Sequence, residues 1–227
     1  MDNPKAVKIT RENLANGVVA ALAAQRDGES TPVVDEATLL ASRRALIDDD
    51  FDCSNLWVFG YGSLLFNPIL DFSEKVKGRI YGLNRRFCLW TQMGRGSPDC
   101  PGLVLALDRG GSCTGVAFRL KPENAIPELD LLWRREMLTL AYRPKLLRLH
   151  TDDGIKQALA FVSNPHRPAY TEKMPLHDEV ETIANAVGFL GPCRDYLFGT
   201  VDGLRDHDIN NPYLEKLVVE VKQRLAL

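Results

Sequence analysis

The chain has 227 residues, 45% of them hydrophobic and 26% charged, with a formal net charge of -2. That balance supports a buried core and offers no electrostatic footprint for a nucleic-acid or membrane-surface partner. No apolar run approaches the roughly 18 residues of a membrane span, and the opening MDNPKAVKIT has no apolar signal-peptide core.

Residues 1–50 read as a helical extension, distinct in character from the rest of the chain. Thr10-Arg11-Glu12-Asn13 can open a helix carrying Leu14, Val18, Val19 and Leu22 at helical spacing. Asp27–Pro32 reads as a loop, and Asp35 as the cap of a second helix with Leu39, Leu40, Ala45 and Leu46. Asp48-Asp49-Asp50 ends it as a solvated charge run. The segment reads as a packing or oligomerisation appendage.

From Leu56 the pattern becomes one of short strands: Trp57–Phe59, Val76–Leu83, Arg86–Thr91, Gly102–Leu107, Cys113–Leu120, Leu146–His150 and Ile155–Ser163. Gly110-Gly111-Ser112 and Asp152-Asp153-Gly154 read as hairpin turns. Many short strands in succession predict an antiparallel barrel or strongly curved sheet. Helices are expected over about 127–140, 176–189 and 211–225, the last with Asn211 as cap and Pro212 in first position. The class is α+β, a small antiparallel β-barrel or curved sheet flanked by helices, with the barrel-bearing domain over 51–227.

Cys53, Cys88, Cys100, Cys113 and Cys193 form no C-x-x-C pair, which fits free thiols in a reducing, cytoplasmic compartment. The four histidines show no zinc-ligand spacing, so no metal site is expected.

Two features carry chemistry. The first is WVFGYGSLLF, Trp57–Phe66, a strand that runs into two glycines. Gly60-x-Gly62 continues with Leu65 where a dinucleotide fingerprint needs glycine, and Ser63 lacks the flanks of a nucleophile elbow. The loop can bind an anion through backbone N–H groups, or it is a tight barrel corner. The second is Glu136. On a helical wheel it falls in the apolar arc of Ile126, Leu129, Leu132, Trp133, Met137 and Leu140, while Arg134 and Arg135 fall outside. A carboxylate there is either paired structurally or is a base with a raised pKa.

WVFGYGSLLFNP, LWRREM and AYRPKLL, with RRFCLWT, PGLVLALDRGGSCTGVAFRL and GPCRDYL, resemble the ChaC branch of the γ-glutamylcyclotransferases over most of 56–200. The resemblance implies a lyase of glutathione catabolism that forms 5-oxoproline and cysteinylglycine without metal or organic cofactor. It implies Glu136 as general base and a loop of Tyr61, Gly62, Ser63 and Leu64, with Gly60 and Leu65 at its edges, that holds the γ-glutamyl group. Tyr196 falls where relatives carry a substrate-contacting tyrosine, or it is a helix tyrosine packed on the barrel. The substrate's own α-amine is then the nucleophile, so no serine or cysteine triad is called for. A cyclotransferase for other γ-glutamyl amines and a non-catalytic binding protein of the same fold are the alternatives. Arg86, Arg95 and Arg135 are candidates for a carboxylate contact, with surface solvation their expected role. Residues 1–50 carry no feature tied to this chemistry, so their deletion is expected to leave turnover.

Overall fold

The structure is a computed structural model describing residues 6–25 and 32–226. Its centre is a closed five-stranded barrel in the order β1-β3-β2-β4-β5, built from β1 (Trp57–Gly60), β2 (Phe72–Thr91), β3 (Gly102–Leu120), β4 (Tyr142–Thr151) and β5 (Gly154–Ser163). Neighbours in that order pair antiparallel except where β1 closes on β5, with Trp57 opposite Ala158 in a parallel ladder, and β3 adds a parallel pairing to β5 at Leu107 and Val162. Trp57, Phe59, Phe87 and Leu105, all buried, place the core inside this barrel.

Four of the expected short strands are halves of two long ones. β2 and β3 pair along almost their whole length, so Gly110-Gly111-Ser112 is not a hairpin turn. Gly110 (φ +98°) and Gly111 (φ +65°) form a bulge opposite Gly82 (φ +80°), which bends both strands without ending them. The side-chain amide of Asn84 fastens the bend by donating to the carbonyls of Arg109 and Gly110, both at 3.0 Å. Sequence cannot separate a glycine bulge from a glycine turn, because both need the same backbone freedom. The Asp152-Asp153-Gly154 turn does join β4 to β5 as a hairpin.

The N-terminal helices are α1 (Arg11–Ala15), α2 (Val18–Gln25) and α3 (Glu36–Arg44), capped at Thr10 and Asp35 as expected. Gly17 (φ +68°) breaks the single helix read from the sequence into α1 and α2. Of the loop expected over 27–32, residues 27–31 lie outside the described residues. Leu14, Val19, Ala23, Leu39 and Ile47 join the same hydrophobic core as the barrel.

Of the N-terminal helices, α1 and α3 pack on α4 (Ala125–Glu136). The Trp133 indole N–H donates to Ser42 Oγ at 2.9 Å. Buried Arg43 pairs with Asp130 at 3.0 Å. Glu128, 3% exposed, is held by both terminal nitrogens of Arg11 at 2.6 Å. α4 stops at Glu136, not at 140: Met137 caps it, and Leu140 (φ +53°) turns the chain into β4.

α5 (Leu176–Asn185) also ends early, because residues 187–192 form a tight two-stranded turn, β6 (Val187–Gly188) and β7 (Gly191–Pro192). A helix that the sequence pattern does not mark, α6 (Cys193–Arg205), comes next, and α7 (Pro212–Ala226) closes the chain with Asn211 capping Leu214 N–H at 3.0 Å. α6 contains glycine at 199 and 203, which weakens its local helical signal. Packing explains Gly203: a Cβ there would sit 2.9 Å from Leu65 Cβ.

Arg11→Met removes both charged donors to a buried carboxylate and leaves Glu128 only the Asp71 backbone N–H at 3.0 Å. The expected loss is about 1–3 kcal/mol of stability in urea unfolding. An unchanged midpoint and slope would show that this ion pair does not tie the N-terminal helices down.

Candidate active site

The loop after β1 and the end of α4 meet at one place. β1 ends at Gly60, and Ser63–Leu65 form a single 3-10 turn. The first N–H groups of such a turn have no acceptor within it. Arg135, 3% exposed at its side chain, reaches across from α4. Its Nη2 donates to Ser63 Oγ at 2.8 Å, its Nη1 to the Asn67 carbonyl at 2.6 Å, and its Nε lies 3.0 Å from Glu136 Oε1. One guanidinium therefore fixes the loop and the carboxylate relative to each other.

The sequence places Arg135 at the solvated surface, and the structure overturns that. Adjacent residues on a continuous helix point about 100° apart and do not face each other. Here the helix ends at Glu136, so both side chains can turn inward. Arg86 is half-buried, paired with Asp108 at 2.5 Å and bonded to the Thr171 carbonyl at 3.0 Å. Arg95 is half-buried and lines a cleft.

Glu136 lies where two spaces meet. One is a small recess lined by Phe59, Tyr61, Gly62, Ser63, Leu64 and neighbours. The other is an open cleft of about 600 Å³, within the range of small-molecule sites. Ser63, Glu136, Tyr142 and Tyr196 line both. The Glu136 side chain is 14% exposed, and its Oε2 takes no hydrogen bond among the described residues. Burial pushes its pKa up, against the opposing pull of Arg135. Its place at a helix C-terminus adds to the cost of ionising it. The same burial lowers the pKa of Arg135, but a guanidinium remains charged. Glu128 on the same helix is the contrast: two charged bonds satisfy it, and none of them faces the cleft.

The structure brings the remaining sequence candidates together only in part. Tyr61 lines the recess, but its hydroxyl donates to the Phe161 carbonyl at 2.5 Å and its own carbonyl accepts from buried Arg85. Gly62 faces Tyr196: a Cβ there would lie 2.9 Å from the tyrosine oxygen. Tyr196 sits in the first turn of α6, with its ring edge-on to Phe66 and Phe87. Its hydroxyl accepts from the Leu105 N–H at 3.3 Å, which leaves its proton to donate. Gly60 and Leu65 line neither space. Gly60 packs against Phe118 and Leu64, and Leu65 packs under Gly203 of α6.

Sequence reasoning missed Tyr142, whose hydroxyl donates to the Leu105 carbonyl at 2.8 Å, and Asn67, whose carbonyl anchors Arg135. Tyr142 stands in AYRPKLL and Asn67 closes WVFGYGSLLFNP, but nothing in their spacing marks them as site residues. Ala6 to Thr10, with Val19 and Ala23, form a wall of the cleft, a placement that the sequence pattern does not mark. Asn67 Nδ2 donates to the Ile9 carbonyl at 2.9 Å, which couples that wall to the loop.

The family model described as "ChaC-like protein" matches residues 56–224. The chain belongs to the ChaC-like family. This ChaC-like chain is 42% identical over 172 residues to the glutathione-specific gamma-glutamylcyclotransferase of Escherichia coli K12, covering 75% of this chain and 74% of that protein. It is 33% identical to gamma-glutamylcyclotransferase 2-1 of Arabidopsis thaliana, over 76% of this chain and 84% of that protein. It is also 33% identical to human glutathione-specific gamma-glutamylcyclotransferase 1, over 68% and 72%. A crystal structure of a yeast gamma-glutamyl cyclotransferase specific to glutathione superposes with a TM-score of 0.67 at 20% identity, over 74% of this chain and 96% of that one, which establishes a shared fold.

Gly62→Ala is expected to displace the Tyr196 hydroxyl and cost about 1–3 kcal/mol through overpacking. Adding Tyr196→Phe removes the clashing oxygen and should restore most of the melting temperature. If the double variant melts no higher than Gly62→Ala alone, the clash is not with Tyr196.

The raised Glu136 pKa gives a second expectation. A carboxyl whose folded pKa exceeds its unfolded value favours the fold below the unfolded value. That contribution is lost as pH rises through the folded value. A base must be ionised, so kcat/KM should rise with pH along an acid limb above the ordinary glutamate value of about 4.3. A limb at or below that value would remove Glu136 as the titrating base.

Proposed function

We propose that this chain is a glutathione-specific γ-glutamylcyclotransferase, a lyase that converts glutathione to 5-oxoproline and cysteinylglycine. The observation that carries the mechanism is the position of Glu136, buried at the junction of recess and cleft with one oxygen left for substrate. The names of the E. coli, human and yeast relatives support glutathione as the substrate.

The residues supply each step of the chemistry. The γ-glutamyl group folds so that its α-amine faces its own γ-carbonyl, a positioning task for the loop Tyr61–Leu64. Glu136 removes a proton as the amine nitrogen bonds to the carbonyl carbon and closes the five-membered ring. Negative charge gathers on the carbonyl oxygen, where the N–H groups that open the 3-10 turn and the Tyr196 hydroxyl are the candidate donors. The amide C–N bond breaks, and Glu136 returns its proton to the departing nitrogen of the cysteinyl residue. No water is consumed. Arg135 does not touch the reacting atoms; it positions Glu136 and the loop. Cys53, Cys88, Cys100, Cys113 and Cys193 are all free thiols, which supports assigning the reaction to the reducing cytoplasm.

Glu136→Gln keeps the shape and an acceptor for Arg135 Nε, so the melting temperature should stay within roughly 3 °C of the parent. Release of 5-oxoproline from glutathione, assayed with a chelator present, should fall about 10²–10⁴-fold. Glutathione binding by calorimetry should persist. Near-parent release would take Glu136 out of the mechanism.

A further inference from the structure

The cleft carries more positive charge than its one ion pair consumes. Among the described residues lining it, Glu136 is the only carboxylate, and Arg135 is paired with it. Lys8 and Arg95 line the same cleft as two further cations. Arg95 makes no ion pair with a described residue, and its single hydrogen bond is a long one, Nη1 to the Pro192 carbonyl at 3.3 Å. A guanidinium has five N–H donors, so most of its capacity is uncommitted.

Its position is tightly determined. A Cβ on Gly96 would fall 2.1 Å from Gly102 N, so the loop after β2 closes on itself just beyond Arg95. The Met93 and Gly94 carbonyls accept from Phe189 and Leu190 N–H at 3.2 and 2.9 Å, and Phe189 in turn accepts from Val7 N–H at 2.9 Å. A Cβ on Gly191 would lie 3.4 Å from both Ala6 Cβ and Arg95 Nη1. Arg95 thus stands where the loop after β2, the β6–β7 turn and the N-terminal segment meet. Burial opposes its charge, and it is within electrostatic reach of Tyr196, Cys193, Asp195 and Arg135. A desolvated cation with no close ion pair, only the more distant Asp195 carboxylate, gains from an anionic ligand. Apolar Val7, Met93 and Leu190 line the cleft with it.

We infer that Arg95, with Lys8 in the same cleft, receives the free carboxylate at the peptide end of the substrate. The outer cleft then selects γ-glutamyl peptides that end in a carboxylate over γ-glutamyl amines and esters. This inference rests on the glutathione reading above, whose substrate carries such a carboxylate on its glycine. The N-terminal segment that completes this subsite lies outside residues 56–224, the stretch the family model matches.

The test compares glutathione with its glycyl ethyl ester, which keeps the γ-glutamyl end and loses the distal charge. The parent protein should favour glutathione by about 10–100-fold in kcat/KM, the scale of a charge-assisted bond. Arg95→Gln should lose a similar factor on glutathione, mainly in KM, and leave the ester unchanged. Arg95→Lys should fall between. Equal turnover of both substrates by the parent overturns the inference, and needs no variant to fold. An equal loss on both substrates in Arg95→Gln also overturns it, since that is what a contact to the α-carboxylate or a structural role gives. If the parent releases no 5-oxoproline from glutathione, the functional reading fails and this subsite with it. Glutathione turnover without discrimination removes the subsite alone.

Discussion

One guanidinium organises the site. Arg135 bonds to Ser63 and Asn67 on one side of the junction and to Glu136 on the other. Burying such a pair is costly, and an apolar pair of similar volume would serve stability at least as well. The arrangement therefore makes sense chiefly as positioning. It holds a carboxylate beside the loop, yet leaves one oxygen open. Arg135 also opposes the rise that burial gives the Glu136 pKa, and so favours the ionised carboxylate.

The barrel was legible in the sequence because alternating β-prone runs and turn residues recur at short intervals. Its joints were not. Gly110-Gly111 has the same composition whether it ends a strand or bends one, and only the partner strand decides. α6 was hidden for a related reason. Its glycines argue against a helix locally, and one of them is needed for the close approach to Leu65. In both places tertiary contact outweighed local propensity.

Legibility of the site divides in the same way. Glu136 stood out as a carboxylate in an apolar arc, although the arc assumed a helix longer than the one that forms. The loop stood out through its glycines. The contact of Arg135 with Glu136 could not be seen, since a continuous helix would have pointed the two side chains apart. Nor could the role of residues 6–10, because no periodicity connects an N-terminal segment to a cleft whose other walls lie far along the chain. That wall exists through the Val7–Phe189 and Asn67–Ile9 bonds and the Arg11–Glu128 pair. The cleft is thus a product of long-range packing laid over a base and loop that are local.

If Arg135 sets the state of Glu136, removing its charge must move the ionisation that governs catalysis. The most direct measurement is the pH dependence of kcat/KM for Arg135→Gln beside the parent protein. Without the guanidinium, burial acts unopposed, and the acid limb should move to higher pH, with residual activity recovering as the solution becomes more alkaline. An acid limb that stays at the parent position, with activity merely lowered at every pH, would contradict the claim that the Arg135–Glu136 contact controls the catalytic base.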